Sequence, residues 1–421
     1  QRLEQAIMRT ANKKVEFRMT EESKLVTYIY NYFYFLANPV EKLMQREIQT
    51  LSNDTSLTVS PDNFLHYLML LAIKMRATDI HISPMPQGIG ISFRIDGVLR
   101  DIVFLPKHLS RIITSIKLQA DMDISEQRLP QDGRWRVNLL DRPYDIRVSS
   151  VVTPDGENIV MRLLSQEQAS FSLESLGFLP EDVELVKQAF DEPFGIILLT
   201  GPTGSGKSTT LIAGLNTLDL LDKNVLTVEN PIEYIVPLAR QTQVNESAGY
   251  DFSNAMRYFL RHDPDVILIG EMRDEPTAKT ALTAATTGHM VLSTLHSNTA
   301  LGSIPRLLGL GMDSLTLSET LVCVLSQRLV RTICPHCIAS REPTQEELDY
   351  LNKKIDKIYY GQGCKSCMQT GYLGRTMIYE VLLINTELRN LLERGAALYE
   401  IENKVFEQGF RSLFDIGIKK L

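Results

Sequence analysis

A stretch of ten residues, GPTGSGKSTT at 201–210, constrains this chain of 421 residues more than any other feature. Its first eight positions fit the pattern G-x-x-x-x-G-K-[ST], with an apolar run ending at Thr200 before it and the helix-like sequence STTLIAGLNTL overlapping its end. Glycines at these positions let backbone N–H groups converge on a phosphate at a helix N-terminus. The pattern predicts a triphosphate-binding loop in which Lys207 reaches the β and γ oxygens and Ser208 ligates Mg²⁺. The predicted nucleotide contacts in the loop are Gly201, Pro202, Thr203, Gly204, Ser205, Gly206, Lys207, Ser208 and Thr209.

Hydrolysis of a bound triphosphate also needs carboxylates, one near the metal and one near the attacking water. Glu271 ends the apolar run DVILIGE, where ligands collect in an open parallel sheet, and is the candidate for the Mg²⁺ side, through water. Glu229 ends LTVE and is the better candidate for activating the attacking water. Glu233 is a reserve, because Pro231 prevents it from sharing a helical face with Glu229. Either strand-end glutamate alone could be a solvated residue, but two of them downstream of one phosphate loop favour a site.

Two histidines bracket the apolar run HMVLSTLH. His296 lies at its C-terminal end, where a residue that senses the γ-phosphate could sit. His289 lies at the other end and is expected to fix the structure or a subunit boundary. A lone histidine is more often a structural residue than a functional one, and that reading stays open for both.

Four of the five cysteines form two close pairs, Cys334–Cys337 and Cys364–Cys367, separated by 26 residues. Four thiolates in two C-x-x-C knuckles complete a tetrahedral Zn²⁺ shell with no open position, so the metal is expected to be structural. A redox dithiol would not need two pairs, and His336 is a less favoured substitute ligand. The fifth, Cys323, lies in an apolar stretch and is expected to be a buried small hydrophobe.

Composition excludes several classes of protein. With 44% hydrophobic and 23% charged residues the chain is of globular type. A net charge of −7 gives no overall electrostatic reason to bind nucleic acid or anionic lipid. No apolar run approaches the ~18 residues of a membrane-spanning helix. The first thirty residues have no apolar h-region, so we expect no secretory signal there. We therefore expect a soluble protein, and the few, paired cysteines favour the cytoplasm.

The hydrophobic pattern changes along the chain. Alternating strand-like segments dominate its first half, with Asp96-Gly97 as a hairpin signal. Apolar runs alternating with helix-like segments follow, which is typical of a parallel sheet covered by helices. The fold class is therefore α/β, with a smaller α+β domain. The predicted segments are 1–55 (helical), 56–164 (α+β domain), 165–182 (linker), 183–330 (ATPase core), 331–376 (tetracysteine module) and 377–421 (helical region).

With these residues in place, about 55–421 of the chain resembles the ATPases of type II secretion and type IV pilus assembly. GPTGSGKSTT resembles the family's Walker A motif, TVENPIEY its Asp box, DPDVILIGEMRD its Walker B motif and GHMVLSTLHSN its His box. The segments RATDIHISP, FRIDGVLRDI and RLPQDGRWRV resemble its N-terminal domain. The resemblance implies a RecA-like C-terminal domain, a smaller PAS-like N-terminal domain and a hexameric ring.

The resemblance also implies roles for single residues. Glu229 takes the place of the catalytic glutamate and Glu271 that of the Walker B acid, while His289 and His296 take the His-box positions. Three arginines match the N-terminal domain pattern and are expected to reach the γ-phosphate when the two domains close: Arg134, Arg147 and Arg162. The sequence departs from the family pattern at Asn230, which replaces an aspartate, at Pro276, which replaces an acid, and at Ser83, which replaces a glutamate.

The implied function is hydrolysis of ATP, with Mg²⁺, to drive pilin or pseudopilin assembly in type IV pilus extension or type II secretion. Extension and secretion motors of the family carry the tetracysteine module, whereas retraction motors generally lack it, so the module points to assembly. The implied partners are five further copies of the chain, an inner-membrane platform protein and a cytoplasmic docking protein. Such a motor works at the cytoplasmic face of the inner membrane, peripheral to it. The chain begins with Gln1, and we expect the family's recruitment domain to be absent or abbreviated.

Two other functions stay open. A DNA-translocating motor shares these folds, and the Arg-Trp-Arg sequence at 134–136 could stack on a strand, but the acidic total argues against it. A nucleotide-binding scaffold with weak turnover is suggested by Asn230, although the other site residues are intact.

Overall fold

The computed structural model describes residues 22–54, 58–165, 171–352 and 355–420, which form two compact units divided after Ser165. Among these residues, no helix is long and apolar enough to cross a membrane. Within the described part of the predicted helical segment 1–55, two helices are present. Residues 1–21 of that segment lie outside the described residues.

The first unit is a six-stranded antiparallel sheet with helices on one face. Its elements are α1 (Glu22–Ala37), α2 (Val40–Asn53), α3 (Asp62–Lys74), β1 (Ala77–Met85), β2 (Gly88–Ile95), β3 (Val98–Pro106), α4 (Arg111–Gln119), β4 (Gln131–Leu139), β5 (Arg142–Thr153) and β6 (Gly156–Ser165). The strand order is β3-β2-β1-β6-β5-β4. The predicted hairpin is confirmed, because Asp96 and Gly97 link β2 to β3 with positive φ at both residues, as a tight turn of this kind requires.

The pattern of alternating residues in this sheet decides which face is covered. Ile80, Ile82, Phe93 and Met161 are buried on one face, and α3 and α4 also bury apolar residues. Most of the alternate positions are polar and partly exposed, although Asp79 among them is buried. Because side chains alternate between the faces of a strand, the apolar set packs beneath the helices and the polar set forms the opposite face.

The second unit is built on a seven-stranded sheet. Its strands are β7 (Gly195–Thr200), β8 (Val225–Glu229), β9 (Arg240–Gln243), β10 (Val266–Ile269), β11 (Met290–Leu295), β12 (Leu321–Ile333) and β15 (Tyr372–Leu383), and a two-stranded sheet holds β13 (Ile338–Arg341) and β14 (Ile358–Gly361). The strand order in the larger sheet is β15-β12-β7-β11-β10-β8-β9. All neighbours in the seven-stranded sheet are parallel except β12 and β15. Every residue of β7, β8, β10 and β11 is buried, as expected where helices cover both faces.

The helices of this unit alternate with its strands as predicted. They are α5 (Leu173–Leu176), α6 (Pro180–Phe190), α7 (Lys207–Leu215), α8 (Phe252–Phe259), α9 (Glu275–Thr286), α10 (Ser303–Gly309), α11 (Ser314–Thr320), α12 (Gln345–Leu351), α13 (Thr386–Glu393), α14 (Leu398–Glu407) and α15 (Leu413–Lys419). Cys323 is fully buried in β12, which confirms the prediction that it acts as a core residue.

Two predicted segments differ from the structure. The second half of the predicted linker 165–182 is packed: Leu173 and Phe178 are buried in the core of the second unit, and residues 166–170 lie outside the described residues. The predicted helical region 377–421 begins with strand residues, because β15 continues to Leu383 and pairs with β12. Because residues 165–182 are mostly polar, the sequence pattern did not indicate that apolar positions among them are buried. At β15, the strand pairing with β12 outweighed the helical appearance of the sequence.

Candidate nucleotide site and metal centre

The phosphate loop lies between β7 and α7, as the sequence predicts. Gly201 has φ +139°, and a Cβ there would lie 2.5 Å from the carbonyl oxygen of Gln327. Gly206, immediately before α7, has φ +89°. Both positions therefore require glycine, and the chain can turn sharply onto the N-terminus of α7, where backbone N–H groups attract an anion.

Lys207 holds the loop in its folded shape. Its Nζ donates hydrogen bonds to the carbonyl oxygens of Gly201 at 3.0 Å and Pro202 at 3.1 Å. Burial lowers the pKa of this lysine, and the nearby carboxylate of Glu271 opposes that change. Among the described residues, the buried Oγ of Ser205 has no hydrogen-bond partner. A phosphate chain, which offers only acceptors, fits these donors.

Glu229 is a buried carboxylate at the end of β8. Its Oε1 accepts hydrogen bonds from Thr227 Oγ1 at 2.7 Å and Gln241 Nε2 at 3.0 Å. Burial raises the pKa of Glu229; the hydrogen bonds from Gln241 and Thr227 act in the opposite direction, and the charge of Glu233 adds to the increase. A carboxylate with a raised pKa is a better proton acceptor than an exposed one.

Glu271 follows the end of β10, next to β8 in the sheet. Its Oε2 lies 2.6 Å from Arg273 Nε and 3.8 Å from His296 Nε2. The structure therefore brings Glu271 and His296 together at the edge of the sheet where the parallel strands end. Since β7 and β8 end at this same edge, the phosphate loop and Glu229 lie there too.

His289 lies away from this group. It precedes β11, whose first residue pairs with Gly195 at the start of β7, whereas the phosphate loop follows the end of β7. Its Nδ1 is 2.9 Å from the carbonyl oxygen of Ala284 and 3.1 Å from Thr287 Oγ1. Within one chain the His289 side chain therefore contacts polar groups at the C-terminal end of α9. A strand of six residues separates His289 from His296, so the placement of His289 among the catalytic residues stays a prediction.

Three polar residues that the sequence analysis did not single out support the site. Gln327 is buried behind the phosphate loop, where its Nε2 donates to the carbonyl oxygen of Ser205 at 2.7 Å. Arg328 donates through Nη2 to the carbonyl oxygen of Asn298 at 3.0 Å, in the loop after His296. Gln241 holds Glu229. The sequence signal for the first two was the polar run Ser-Gln-Arg inside the otherwise apolar stretch LVCVLSQRLV.

The three arginines that match the N-terminal domain pattern lie in one row across the polar face of the first unit. Arg134 pairs directly with Arg147, and Arg147 with Arg162. Arg162 in turn pairs with Asp79, and its Nε donates to Asp79 Oδ1 at 2.9 Å. Directly paired residues of antiparallel strands share a face, so three cationic side chains are neighbours there.

The four cysteines form a compact cluster where β12 ends and β15 begins. Their sulfur atoms all lie within 4.8 Å of one another. The separations are 3.8 Å for Cys334–Cys364 and Cys337–Cys367 and 3.7 Å for Cys364–Cys367. A tetrahedron with zinc–sulfur bonds of about 2.3 Å has edges of about 3.8 Å, so these thiolates fit Zn²⁺.

The backbone around the cluster favours thiolate at one position. Burial disfavours ionisation of Cys367, but N–H groups of Cys364 and Gly371 donate to its sulfur at 3.1 and 3.3 Å. These N–H groups and the neighbouring thiols of Cys364 and Cys337 outweigh burial and lower the pKa of Cys367 to about 6. Such N–H donors are the usual surroundings of metal-bound cysteine sulfur.

Comparison with known proteins places the chain in a family. A family model described as "Type II/IV secretion system protein" matches residues 60–421. The chain belongs to this type II/IV secretion system protein family. The Type II secretion system ATPase E of Vibrio cholerae is 41% identical over 385 residues, which are 90% of this chain and 76% of that protein. The Type IV pilus assembly ATPase PilB of Thermus thermophilus is 42% identical over 363 residues, which are 85% of this chain and 41% of that protein.

Solved structures of secretion and pilus ATPases have the same mixed α/β fold. The pilus retraction motor PilT, solved with bound ADP, superposes with a TM-score of 0.56 and 26% identity, over 84% of this chain and 95% of PilT. The ATPase DotB of Yersinia pseudotuberculosis gives a TM-score of 0.61 at 23% identity, which shows the likeness in fold. The resemblance drawn from the motifs is thereby confirmed at the level of the family.

Proposed function

We propose that this chain is an ATPase that binds ATP in the 201–209 loop and hydrolyses it to drive assembly of pilin or pseudopilin subunits. The observation that carries the proposal is the buried Glu229 at the same sheet edge as the phosphate loop, with Glu271 and His296 after the ends of the next two strands. The relatives named as secretion and pilus assembly ATPases support both the ATP hydrolysis and its role in assembly.

In the proposed reaction, water attacks the γ-phosphorus and its proton passes to the Glu229 carboxylate. The bond between the γ-phosphorus and the bridging oxygen breaks, so that ADP leaves with the electron pair. Lys207 turns from its carbonyl partners to the β and γ oxygens, and His296 lies where it can respond to the γ-phosphate. Ser208 and Glu271 would hold Mg²⁺, which neutralises charge on the phosphates.

The arginine row supplies the remaining positive charge in this proposal. Asp79 offsets part of the charge of Arg162, and the row still gathers three guanidinium groups whose fork geometry suits a polyanion. We infer that Arg134, Arg147 and Arg162 meet the γ-phosphate when the two units close on ATP. Their release after hydrolysis is the proposed source of mechanical work.

The proposed domain assignment follows from the family. The first unit corresponds to a PAS-like N-terminal domain and the sheet of the second to a RecA-like core that includes β15. The tetracysteine module is an insertion between β12 and β15. The proposed assembly is a homo-hexamer that meets an inner-membrane platform protein and a cytoplasmic docking protein, at the cytoplasmic face of that membrane.

Removing zinc is expected to destabilise the second unit. A Cys364→Ser variant should lose about one zinc per chain, because a tetrahedral shell with three thiolates binds far more weakly. At free zinc about 1,000 times Kd, binding contributes about 4 kcal/mol. For a unit of this size that corresponds to a fall in Tm of about 8–16 °C. Metal analysis and calorimetry with and without a chelator measure both effects, and an unchanged Tm would show that the cysteines hold no structural metal.

Phosphate release by the purified chain tests the proposed function. With saturating ATP and Mg²⁺ we expect continuous phosphate release that EDTA stops. Binding of ATP without release would indicate a scaffold. Stimulation by single-stranded DNA that weakens steeply with salt would indicate a DNA-translocating motor.

A further inference from the structure

The side-chain amide of Gln241 links the Glu229 carboxylate to the loop that follows it. Its Nε2 donates to Glu229 Oε1 at 3.0 Å and to the carbonyl oxygen of Tyr234 at 2.9 Å. Its Oε1 accepts from the backbone N–H of Val236 at 2.8 Å. One side chain on the edge strand β9 therefore contacts the strand-end carboxylate and both sides of a turn in the 231–239 loop.

These three contacts fix the orientation of the amide. Turning it over would place Oε1 of Gln241 against two acceptors, the Glu229 carboxylate and the Tyr234 carbonyl oxygen. The same turn would leave the N–H of Val236 facing an NH₂ group. The amide is thus held with its donors toward Glu229, and a hydrogen bond from a positioned donor to a carboxylate is stronger than one between neutral groups.

We propose that Gln241 is a positioning residue that holds the carboxylate of Glu229 in the orientation needed to accept the proton of the attacking water. The inference deepens the proposed function and rests on it, because it requires Glu229 to be the proton acceptor. Thr227 Oγ1 contributes a second donor to the same carboxylate oxygen at 2.7 Å, from within β8. Gln241 differs from Thr227 in that it also ties the carboxylate to the loop.

The charges around Glu229 set the sign of the expected pH effect. Glu233 on the loop raises the pKa of Glu229, and the hydrogen bond from Gln241 lowers it. The other charged or titratable groups at this edge are Glu271 with its neighbours Arg273 and His296, and Lys207 of the phosphate loop with Arg328 near it. Loss of the Gln241 donor therefore moves the pKa of Glu229 upward. The side chain of Glu229 then stays protonated, and therefore inactive as a base, up to a higher pH.

Steady-state ATP hydrolysis across the acid range tests the proposal with Gln241→Ala, Gln241→Glu and Thr242→Val. Thr242 lies next to Gln241 on β9, where its Oγ1 donates to the carbonyl oxygen of Thr227 and not to the carboxylate. We expect both Gln241 variants to lower kcat about 10- to 100-fold with KM for ATP unchanged, because a hydrogen bond to a charged group is lost. The acid limb of kcat should move to higher pH, furthest in Gln241→Glu, which adds a like charge. Thr242→Val should keep both the wild-type kcat and its acid limb.

The outcomes separate this inference from the proposed function. Gln241 variants that keep the wild-type acid limb, or that lose kcat together with ATP affinity and Tm, would overturn the positioning role. If the Gln241 variants gave either result while Glu229→Gln was inactive, the proposed function would stand and only the positioning role of Gln241 would fall. A fully active Glu229→Gln would instead overturn the proposed function itself, and the positioning role with it.

Discussion

Replacing Glu229 with glutamine is expected to lower kcat for ATP hydrolysis about 10²- to 10⁴-fold, the usual effect of removing a general base. The amide has nearly the same shape as the carboxylate but cannot accept a proton from water. The phosphate loop follows a different strand, β7, so ATP binding should persist. Phosphate release under saturating ATP gives kcat, and titration with a fluorescent ATP analogue gives the affinity.

A matched control is available in Glu380→Gln. Glu380 is also buried, burial also raises its pKa, and it accepts a hydrogen bond from the backbone N–H of Ala300 at 2.7 Å. This variant should keep turnover within a few fold of wild type. Equal losses of kcat in Glu229→Gln and Glu380→Gln would show that replacing a buried glutamate of this unit lowers activity through stability, whichever glutamate is replaced. If Glu233→Gln lost kcat while Glu229→Gln kept it, Glu233 on the loop after β8 would be the general base instead.

Replacing Lys207 with alanine is expected to reduce kcat/KM for ATP about 10³-fold, as loss of a charged donor to the developing phosphate charge does. Unlike Glu229→Gln, this variant should also bind ATP more weakly, because Lys207 contacts the nucleotide before as well as during the reaction. Kinetics and analogue titration on the same preparation measure both effects.

The control for this variant is Lys187→Ala. Lys187 forms exposed ion pairs with Glu174 and Glu184, and such pairs contribute little to stability. It should hydrolyse ATP at the wild-type rate. Normal ATP affinity in Lys207→Ala would contradict binding of the triphosphate in this loop.

The sequence predicted the parts of the site that local chemistry determines. The phosphate loop needs glycine where φ is positive, and its flanking strand and helix could be recognised from apolar runs. Glu229 and Glu271 were found because parallel strands that end in acids share one edge of a sheet. The cysteine pairs were found because their spacing is characteristic of a metal knuckle.

The rest depends on contacts between distant residues. Gln241 reaches Glu229 because β9 adds to the sheet edge next to β8, and no local pattern gives that pairing. The sequence placed His296 and His289 at opposite ends of one apolar run, and the direction of β11 in the sheet shows which end lies next to the phosphate loop. The continuation of β15 to Leu383 depends on its partner β12, which lies about 50 residues earlier in the chain. Tertiary pairing overrides local propensity in such segments.

The central claim is that a triphosphate bound in the 201–208 loop is cut beside Glu229. The most direct measurement is a crystal structure of the chain with Mg²⁺ and a non-hydrolysable ATP analogue. The account predicts the β-phosphate within the backbone N–H groups of the loop and the γ-phosphate facing Glu229, with room for one water between them. An analogue bound elsewhere, or a γ-phosphate directed away from Glu229, would contradict it.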